Sequence, residues 1–216
     1  MLTQDPRVQM IEQQVRAWDV LDGRVLDVMS RVPREAFVPP EQRFLAYADV
    51  EVPLSHGQHM LRPSVTGRLL QAVLPMPQES VLEVGTGTGF VSACLRALGG
   101  AVTSLELYPE LAEAARENLA ALGVRGVEVI DADALRIDGS RRYDVIALTA
   151  SLPAYDARFE RALNVGGRLF VVVGESPVME ARLVRRTAED AWSSQSLFET
   201  VIDALVNAQR PTEFTF

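Results

Sequence analysis

The stretch Val81-Leu-Glu-Val-Gly-Thr-Gly-Thr-Gly89 constrains this chain more than any other. A short apolar run carrying one carboxylate, Glu83, leads into Gly85, Gly87 and Gly89 in alternation. Apolar residues at helical spacing follow at once: Phe90, Val91, Cys94, Leu95 and Leu98. The pattern reads as a buried strand, a tight glycine loop and a helix. Such a turn lets bare backbone approach a ligand, and the free N–H groups of the helix start favour an anionic part of it. It is the shape of a nucleotide-type cofactor site, shared by dinucleotide, phosphate and S-adenosylmethionine binders.

The chain around this turn alternates strand and helix. Ala101–Glu106 reads as a strand, Pro109–Leu122 as a helix ending at Gly123, and Val127–Asp131 as a strand. Tyr143–Thr149 follows as a largely apolar central strand. Asp156–Leu163 reads as a helix closed by Gly166-Gly167, and Arg168–Val173 as a fifth strand. This succession predicts a doubly wound, mostly parallel sheet. The end of the chain breaks the rhythm. Met179–Arg186 and Ser196–Leu205 alternate on either side of a turn at Ala188–Ala191, which predicts an antiparallel pair. A parallel sheet closed by an antiparallel hairpin is the arrangement of Rossmann-like class I methyltransferases.

Upstream, Asp5-Pro6 is a helix-start signal, with Val8, Ile11, Val15 and Trp18 spaced as one stripe. Asp22 opens a second helix, with Val25, Leu26, Val28 and Met29 inward, and Pro63-Ser64 a third. Between them, residues 47–62 read as a long loop with an edge strand over Asp49–Leu54. Long loops in compact domains are often functional, and this one holds both histidines, His56 and His59. Residues 1–62 are expected to pack, as helices and a substrate-side loop, on a cofactor domain spanning 63–216.

Composition narrows the chemistry. The net charge of −8 over 216 residues disfavours a nucleic-acid partner, which needs a basic face. The one basic cluster, Arg182, Arg185 and Arg186, reads as a solvated strand face. Cys94 is the single cysteine, so no internal disulfide forms, and its helical spacing puts it in the core. Two histidines without nearby cysteines predict no zinc site. The lack of a long apolar run or a signal pattern gives the expectation of a cytoplasmic protein that does not engage membranes. The polar tail carrying Phe214 and Phe216 is expected to pack on its own domain or on a partner chain.

The choice of cofactor turns on charge. The dinucleotide fingerprint is Gly-x-Gly-x-x-Gly, whereas the spacing here is Gly85-x-Gly87-x-Gly89. A diphosphate also sits poorly beside Glu83. S-adenosylmethionine, with its ammonium and sulfonium, is attracted by negative charge, and its carboxylate suits the loop N–H groups. Glu106, at the end of the second strand, can accept both ribose hydroxyls. Asp133, after the third, can accept from the adenine amino group. The predicted cofactor set is therefore Glu83, Gly85, Thr86, Gly87, Gly89, Glu106, Leu107, Asp133, Ala134 and Thr149.

With these residues in view, the chain resembles the protein-L-isoaspartate O-methyltransferase family over nearly its whole length. The resemblance rests on Val32-Pro-Arg-Glu-Ala-Phe-Val-Pro39, Ala46-Tyr-Ala-Asp49, Gly57-Gln58, the glycine loop, Pro109-Glu-Leu111, Thr149-Ala150 with Pro153, and Gly166-Gly-Arg-Leu169. It implies a class I fold with extra N-terminal helices, S-adenosylmethionine as cofactor, and methylation of the misplaced carboxylate of isoaspartyl residues in damaged protein. It also implies a departure. Where the family reads roughly Gly-Gln-Thr-Ile-Ser-Gln/Ala-Pro, this chain reads Gly57-Gln-His-Met-Leu-Arg-Pro63. Leu61 thus stands at the position of the family's active-site serine, and leucine donates no hydrogen bond. Three expectations follow. His59 or Arg62 replaces the serine toward an isoaspartyl carboxylate; or His59 or His56 serves as base for a small-molecule hydroxyl or amine acceptor; or the chain binds S-adenosylmethionine or its product without catalysis.

Overall fold

The computed structural model describes residues 5–137 and 139–210. Phe214 and Phe216, and any packing of that tail, lie outside the described residues. At the N-terminus the Asp5 side chain accepts from Arg7 N, with Pro6 in the first helical position of α1 (Pro6–Gln9). The helix then widens into a π-helical stretch over Met10–Val15 and tightens into a 3-10 turn at Arg16–Trp18. The wide turn brings residues five apart onto one face. Met10, Ile11 and Val15 are therefore buried, while Val8, expected on the same stripe, is solvent-facing. α2 (Gly23–Arg31) starts on Asp22 as expected, with Val25, Val28 and Met29 inward.

The loop at 47–62 holds a small antiparallel pair, β1 (Val52–Pro53) and β2 (His59–Met60), joined by a 3-10 turn at Ser55–Gly57. The expected edge strand is thus shorter and is paired with the loop's own second half. After α3 (Pro63–Val73) the alternating part begins. It consists of β3 (Ser80–Val84), α4 (Phe90–Leu98), β4 (Ala101–Glu106), α5 (Pro109–Ala121), β5 (Val127–Asp131), β6 (Tyr143–Leu152), α6 (Ala157–Arg161) and β7 (Leu163–Glu175). β8 (Val178–Ala188) and β9 (Ala191–Glu199) close it.

The seven strands form one sheet in the order β5-β4-β3-β6-β7-β8-β9. The first five run parallel, and β8 pairs antiparallel with both β7 and β9, which is the predicted parallel sheet closed by an antiparallel hairpin. Side chains alternate between two cores. Val81, Val145, Phe170 and Val172 face one with Val65, Leu69 and Leu95, while Leu82, Ile146, Leu148, Leu169 and Val171 face the other with Phe159 and Leu163. Each such side chain withdrawn from water contributes roughly 1.5–3 kcal/mol. The first core also takes in Met10, Val15, Val25 and Met29, so the N-terminal segment packs on the sheet's helical layer.

Local readings shift in four places. α6 is shorter than expected, and Gly166-Gly167 lie inside β7, within a gap in its register with β6 between Leu163 and Arg168. A Cβ at Gly167 would meet three backbone oxygens at 2.9–3.1 Å, so Gly167 serves strand packing, while Gly166 turns the strand at a φ of +86°; neither closes a helix. β9 begins at Ala191 and ends at Glu199, earlier than the alternation at Ser196–Leu205 suggested. Arg186 is buried; its guanidinium donates to the Leu163 carbonyl at 2.7 Å and stands over Trp192. The basic cluster is therefore not a wholly solvated face. Cys94 is buried, as its spacing predicted, and burial pushes its thiol pKa up. Among the described residues no helix is long and apolar enough to cross a membrane.

Candidate functional site

The sheet's order reverses at β3, which has β4 on one side and β6 on the other. A crevice opens at such a switch point, outside the carboxyl ends of the strands. Here it is a cleft of about 720 Å³ lined by Val84, Gly85, Gly87, Glu106, Leu107, Asp133, Ala134 and Thr149. These sit at or just past the ends of β3, β4 and β5, and on β6 just beyond its pairing with β3, because the parallel register brings those positions side by side.

The glycine loop is shaped by its backbone. Gly85, Gly87 and Gly89 all have positive φ. Gly85 shows why a side chain is excluded: its φ is +90°, and a Cβ would lie 2.4 Å from Thr149 Oγ1. That hydroxyl sits within reach of the Val84 carbonyl at 3.0 Å and the Gly85 carbonyl at 2.6 Å, which stitches the loop to β6. Gly89 packs against Ala115 and Leu119 of α5 and does not line the cleft.

Glu106 is 5 % exposed and fixed at both oxygens. Gly87 N donates to Oε2 at 2.8 Å, and Tyr108 N donates to Oε1 at 3.1 Å. A carboxylate has about four acceptor positions. Two are used here by backbone, and the remainder stay open toward the cleft. Asp133 accepts from Leu135 N at 2.9 Å and from Asn207 Nδ2 at 3.2 Å. It therefore caps the turn at Ala134–Arg136 and lines the cleft at the same time.

Glu83 is placed differently from its expected partners. It is fully buried beneath the loop and outside the cleft lining. Its Oε2 accepts from Ser92 Oγ on α4 and from Ser104 Oγ on β4, the latter at 2.6 Å, while Oε1 has no partner. Burial pushes its pKa up to about 7; the two serine hydroxyls pull down and the neighbouring Glu106 pushes up. Thr86 joins this buried network through Ser104 Oγ at 2.6 Å and borders a smaller adjoining pocket. The spacing that put Glu83 before the first glycine could not tell which face of β3 it occupies relative to α4.

The opposite wall comes from Leu54, Gln58, His59 and Leu61 of the 47–62 loop, and from Asp203, Leu205 and Val206 beyond β9. His59 Nδ1 lies 2.9 Å from Asp203 Oδ2. Glu51 borders both the cleft and an open groove next to it. Its pKa is raised by burial and by Asp203, against the opposing pull of His59 and Arg62. Arg62 lines that groove and is absent from the cleft. Its guanidinium donates to Thr200 Oγ1 at 3.0 Å and stands over Trp18. His56 stacks on Tyr108 with ring centroids 4.0 Å apart, outside the cleft lining.

Two residues of this wall escaped the sequence reading. Asp203 is 144 positions from His59 and carries no local signal. Arg34 is fully buried, donates to the Ala46 carbonyl at 2.9 Å and the Leu61 carbonyl at 2.7 Å, and stands over Phe90. It ties the loop carrying Leu61 to the N-terminal segment. A motif containing it, Val32-Pro-Arg-Glu-Ala-Phe, was visible, but arginine at that position gave no hint of burial.

Comparison with known proteins identifies the family of the chain. The sequence model of the protein-L-isoaspartate(D-aspartate) O-methyltransferase family matches residues 6–209. A protein-L-isoaspartate O-methyltransferase of Aeropyrum pernix is 40 % identical over 190 residues, covering 86 % of this chain and 73 % of that protein. A second, from Pelobacter propionicus, is 38 % identical over 93 % of this chain and 90 % of its own length. Among solved structures, one from Plasmodium falciparum, described as a beta-aspartate methyltransferase in complex with S-adenosyl-L-homocysteine, superposes with a TM-score of 0.82. It covers 94 % of this chain and 99 % of that one at 17 % identity, a likeness of fold. By the family match along nearly its whole described length and by relatives at this identity, the chain belongs to the protein-L-isoaspartate(D-aspartate) O-methyltransferase family.

Proposed function

We propose that this protein transfers a methyl group from S-adenosylmethionine to the carboxylate of isoaspartyl residues in damaged protein of the cytoplasm. The observation that carries the cofactor half is Glu106, held by Gly87 N and Tyr108 N with acceptor capacity left toward the cleft. In this reading Glu106 takes the ribose hydroxyls, while Gly85 and Gly87 give the amino acid end close backbone contact. Asp133 with Ala134 receives the adenine, and Leu107 and Thr149 shape the walls. Glu83 acts from below, through Ser92, Ser104 and Thr86, as support for the loop. Residues 63–216 thus carry the cofactor wall, and 1–62 serve the acceptor together with Asp203, Leu205 and Val206.

When bound, S-adenosylmethionine supplies an electrophilic methyl group on a sulfonium. The acceptor carboxylate is already ionised at neutral pH, so no general base is needed. The new bond forms between carboxylate oxygen and methyl, the sulfur keeps the electron pair, and no proton moves. The chain's work is alignment and exclusion of water. Leu54, Leu61, Leu205 and Val206 give the cleft an apolar cover, and among the described residues His59 is the one lining side chain able to carry positive charge. Arg62 faces the adjoining groove and does not reach the acceptor end.

The test is an isoaspartyl peptide with methyl-labelled S-adenosylmethionine, compared with its aspartyl counterpart. The isoaspartyl peptide alone gains a base-labile methyl ester; no ester above background sinks the proposal. A second reading, a hydroxyl or amine acceptor with His59 as base, is favoured by the His59–Asp203 pair. The two readings give opposite pH slopes. A base must be neutral, so turnover rises with pH, whereas a cationic anchor for carboxylate loses its proton and turnover falls.

A further inference from the structure

The acceptor end has one imidazole and one carboxylate in contact, and their mounts differ. His59 sits on β2, a two-residue strand paired only with β1. Asp203 sits on a segment bound to the end of β6. Ser151 N donates to the Asp203 carbonyl at 2.8 Å, Leu205 N donates to the Ser151 carbonyl at 2.7 Å, and Ser151 bridges Ala204. The strand that braces Asp203 is thus the one carrying Thr149 and stitched to the glycine loop. Asp203 is firmly placed relative to the cofactor wall, and the histidine is the group in need of orientation.

Resting on the isoaspartyl reading, we propose that Asp203 is a positioning residue. By holding Nδ1 of His59 it presents Nε2 to the cleft, where the imidazolium binds the acceptor carboxylate. No hydrogen bond from a described residue engages Nε2, so that nitrogen is free to meet a substrate. With both nitrogens protonated, Nδ1–H donates to Asp203 and Nε2–H donates to the acceptor oxygen, a charge-assisted pair. With the ring neutral and Nδ1–H still on Asp203, Nε2 offers a lone pair that repels a carboxylate. Other charged groups stand nearby. Glu51, before β1, couples electrostatically to His59 and to Arg62, which lies between β2 and α3; Glu106 and Asp133 stand on the far wall of the cleft. Binding of the acceptor therefore calls for the doubly protonated ring held by Asp203.

The chain holds two histidines, so ring ¹⁵N signals in the S-adenosylhomocysteine complex are assignable with a His59→Gln control. In the wild type the neutral ring is the Nδ1–H tautomer, and an isoaspartyl peptide shifts the Nε2 signal. In Asp203→Asn the preference for the Nδ1–H tautomer weakens and the peptide-induced shift shrinks. KM for the peptide rises about tenfold, the size of one charge-assisted hydrogen bond, while cofactor affinity is unchanged. Asp203→Glu restores part of the loss, and adding Asp203→Asn to His59→Gln costs nothing further. An unchanged His59 tautomer preference in Asp203→Asn, or additive losses in the double variant, overturns the inference whatever the acceptor. A weakened tautomer preference with no methyl ester formed in the wild-type assay removes the isoaspartyl reading and leaves Asp203 as the group that orients His59.

Discussion

One wall of the cleft is assembled from consecutive strand ends, and the other from a loop and a post-sheet segment that meet only in three dimensions. On the cofactor wall, Gly85, Glu106 and Asp133 come one after another along the chain, each at or just beyond a strand end. Parallel pairing then aligns them with no further help. On the acceptor wall, His59 and Asp203 are brought together by a pair of short strands, a buried arginine and a tail segment docked on β6. The cofactor wall is therefore local in sequence and tightly hydrogen-bonded. The acceptor wall is long-range and depends on a few tethers, so its residues can diverge without disturbing the loop beneath the cofactor.

The sharpest break of the cofactor wall is Gly85→Ala. The new Cβ meets Thr149 Oγ1 and the backbone is left-handed, two penalties of about 1–3 kcal/mol each. Affinity for S-adenosylhomocysteine, measured by calorimetry, should fall by roughly a hundredfold. Binding within a few-fold of wild type would show that the loop relocates easily.

Arg34→Ala attacks the other wall. Two buried carbonyls, of Ala46 and Leu61, lose a charged donor and a cavity opens beside Phe90. Burial already lowers the Arg34 pKa to about 10, so part of the loss is offset by relief of a desolvated cation. The net cost in denaturant unfolding should be about 3 kcal/mol. In the protein that remains folded, peptide KM should rise while cofactor affinity holds. Equal loss of both would mean that the two walls are not separable.

Glu83 allows a pH test of the buried support. Its folded pKa of about 7 lies above the unfolded value near 4.5, so folding favours the protonated form. Its contribution is intact at pH below about 4.5 and declines as pH rises to about 7. Above that it stays flat. A Glu83→Gln variant lacks this slope. Relative to wild type it should gain stability between pH 5 and 8, on the order of 2–3 kcal/mol at the upper end. Parallel unfolding curves at all pH values would remove Glu83 from that account.

The smallest effect is expected at Arg62. Arg62→Ala loses a hydrogen bond to Thr200 and stacking on Trp18 at the edge of the groove. Cofactor affinity should stay within about twofold, since sites without shared partners add independently. A large loss would place Arg62 in the cleft after all.

The contrast between walls also explains what was legible. Strand ends bearing Gly85, Glu106 and Asp133 could be found from spacing alone, because alternation of strand and helix implies a parallel sheet and hence adjacent ends. Glu83 was found but its surroundings were not, since its burial depends on Ser92 and Ser104 arriving from two other elements. Arg62 lies three residues from His59, yet the turn into α3 sends it toward Trp18 and into the neighbouring groove. The π-helical winding after Gln9 was equally invisible, because its five-residue repeat overrides a stripe read at helical spacing.

By itself the sequence determined the order of strands and helices, the antiparallel close, the glycine loop and the carboxylates beside it. These follow from short-range patterns of polarity and from glycine's freedom at positive φ. Only the tertiary structure decided which carboxylate faces the cleft and which supports it from below, that Arg34 is buried, and that Asp203 reaches His59. Those outcomes depend on contacts between residues tens of positions apart, whose free energies arise in the packed state and leave no periodic trace along the chain.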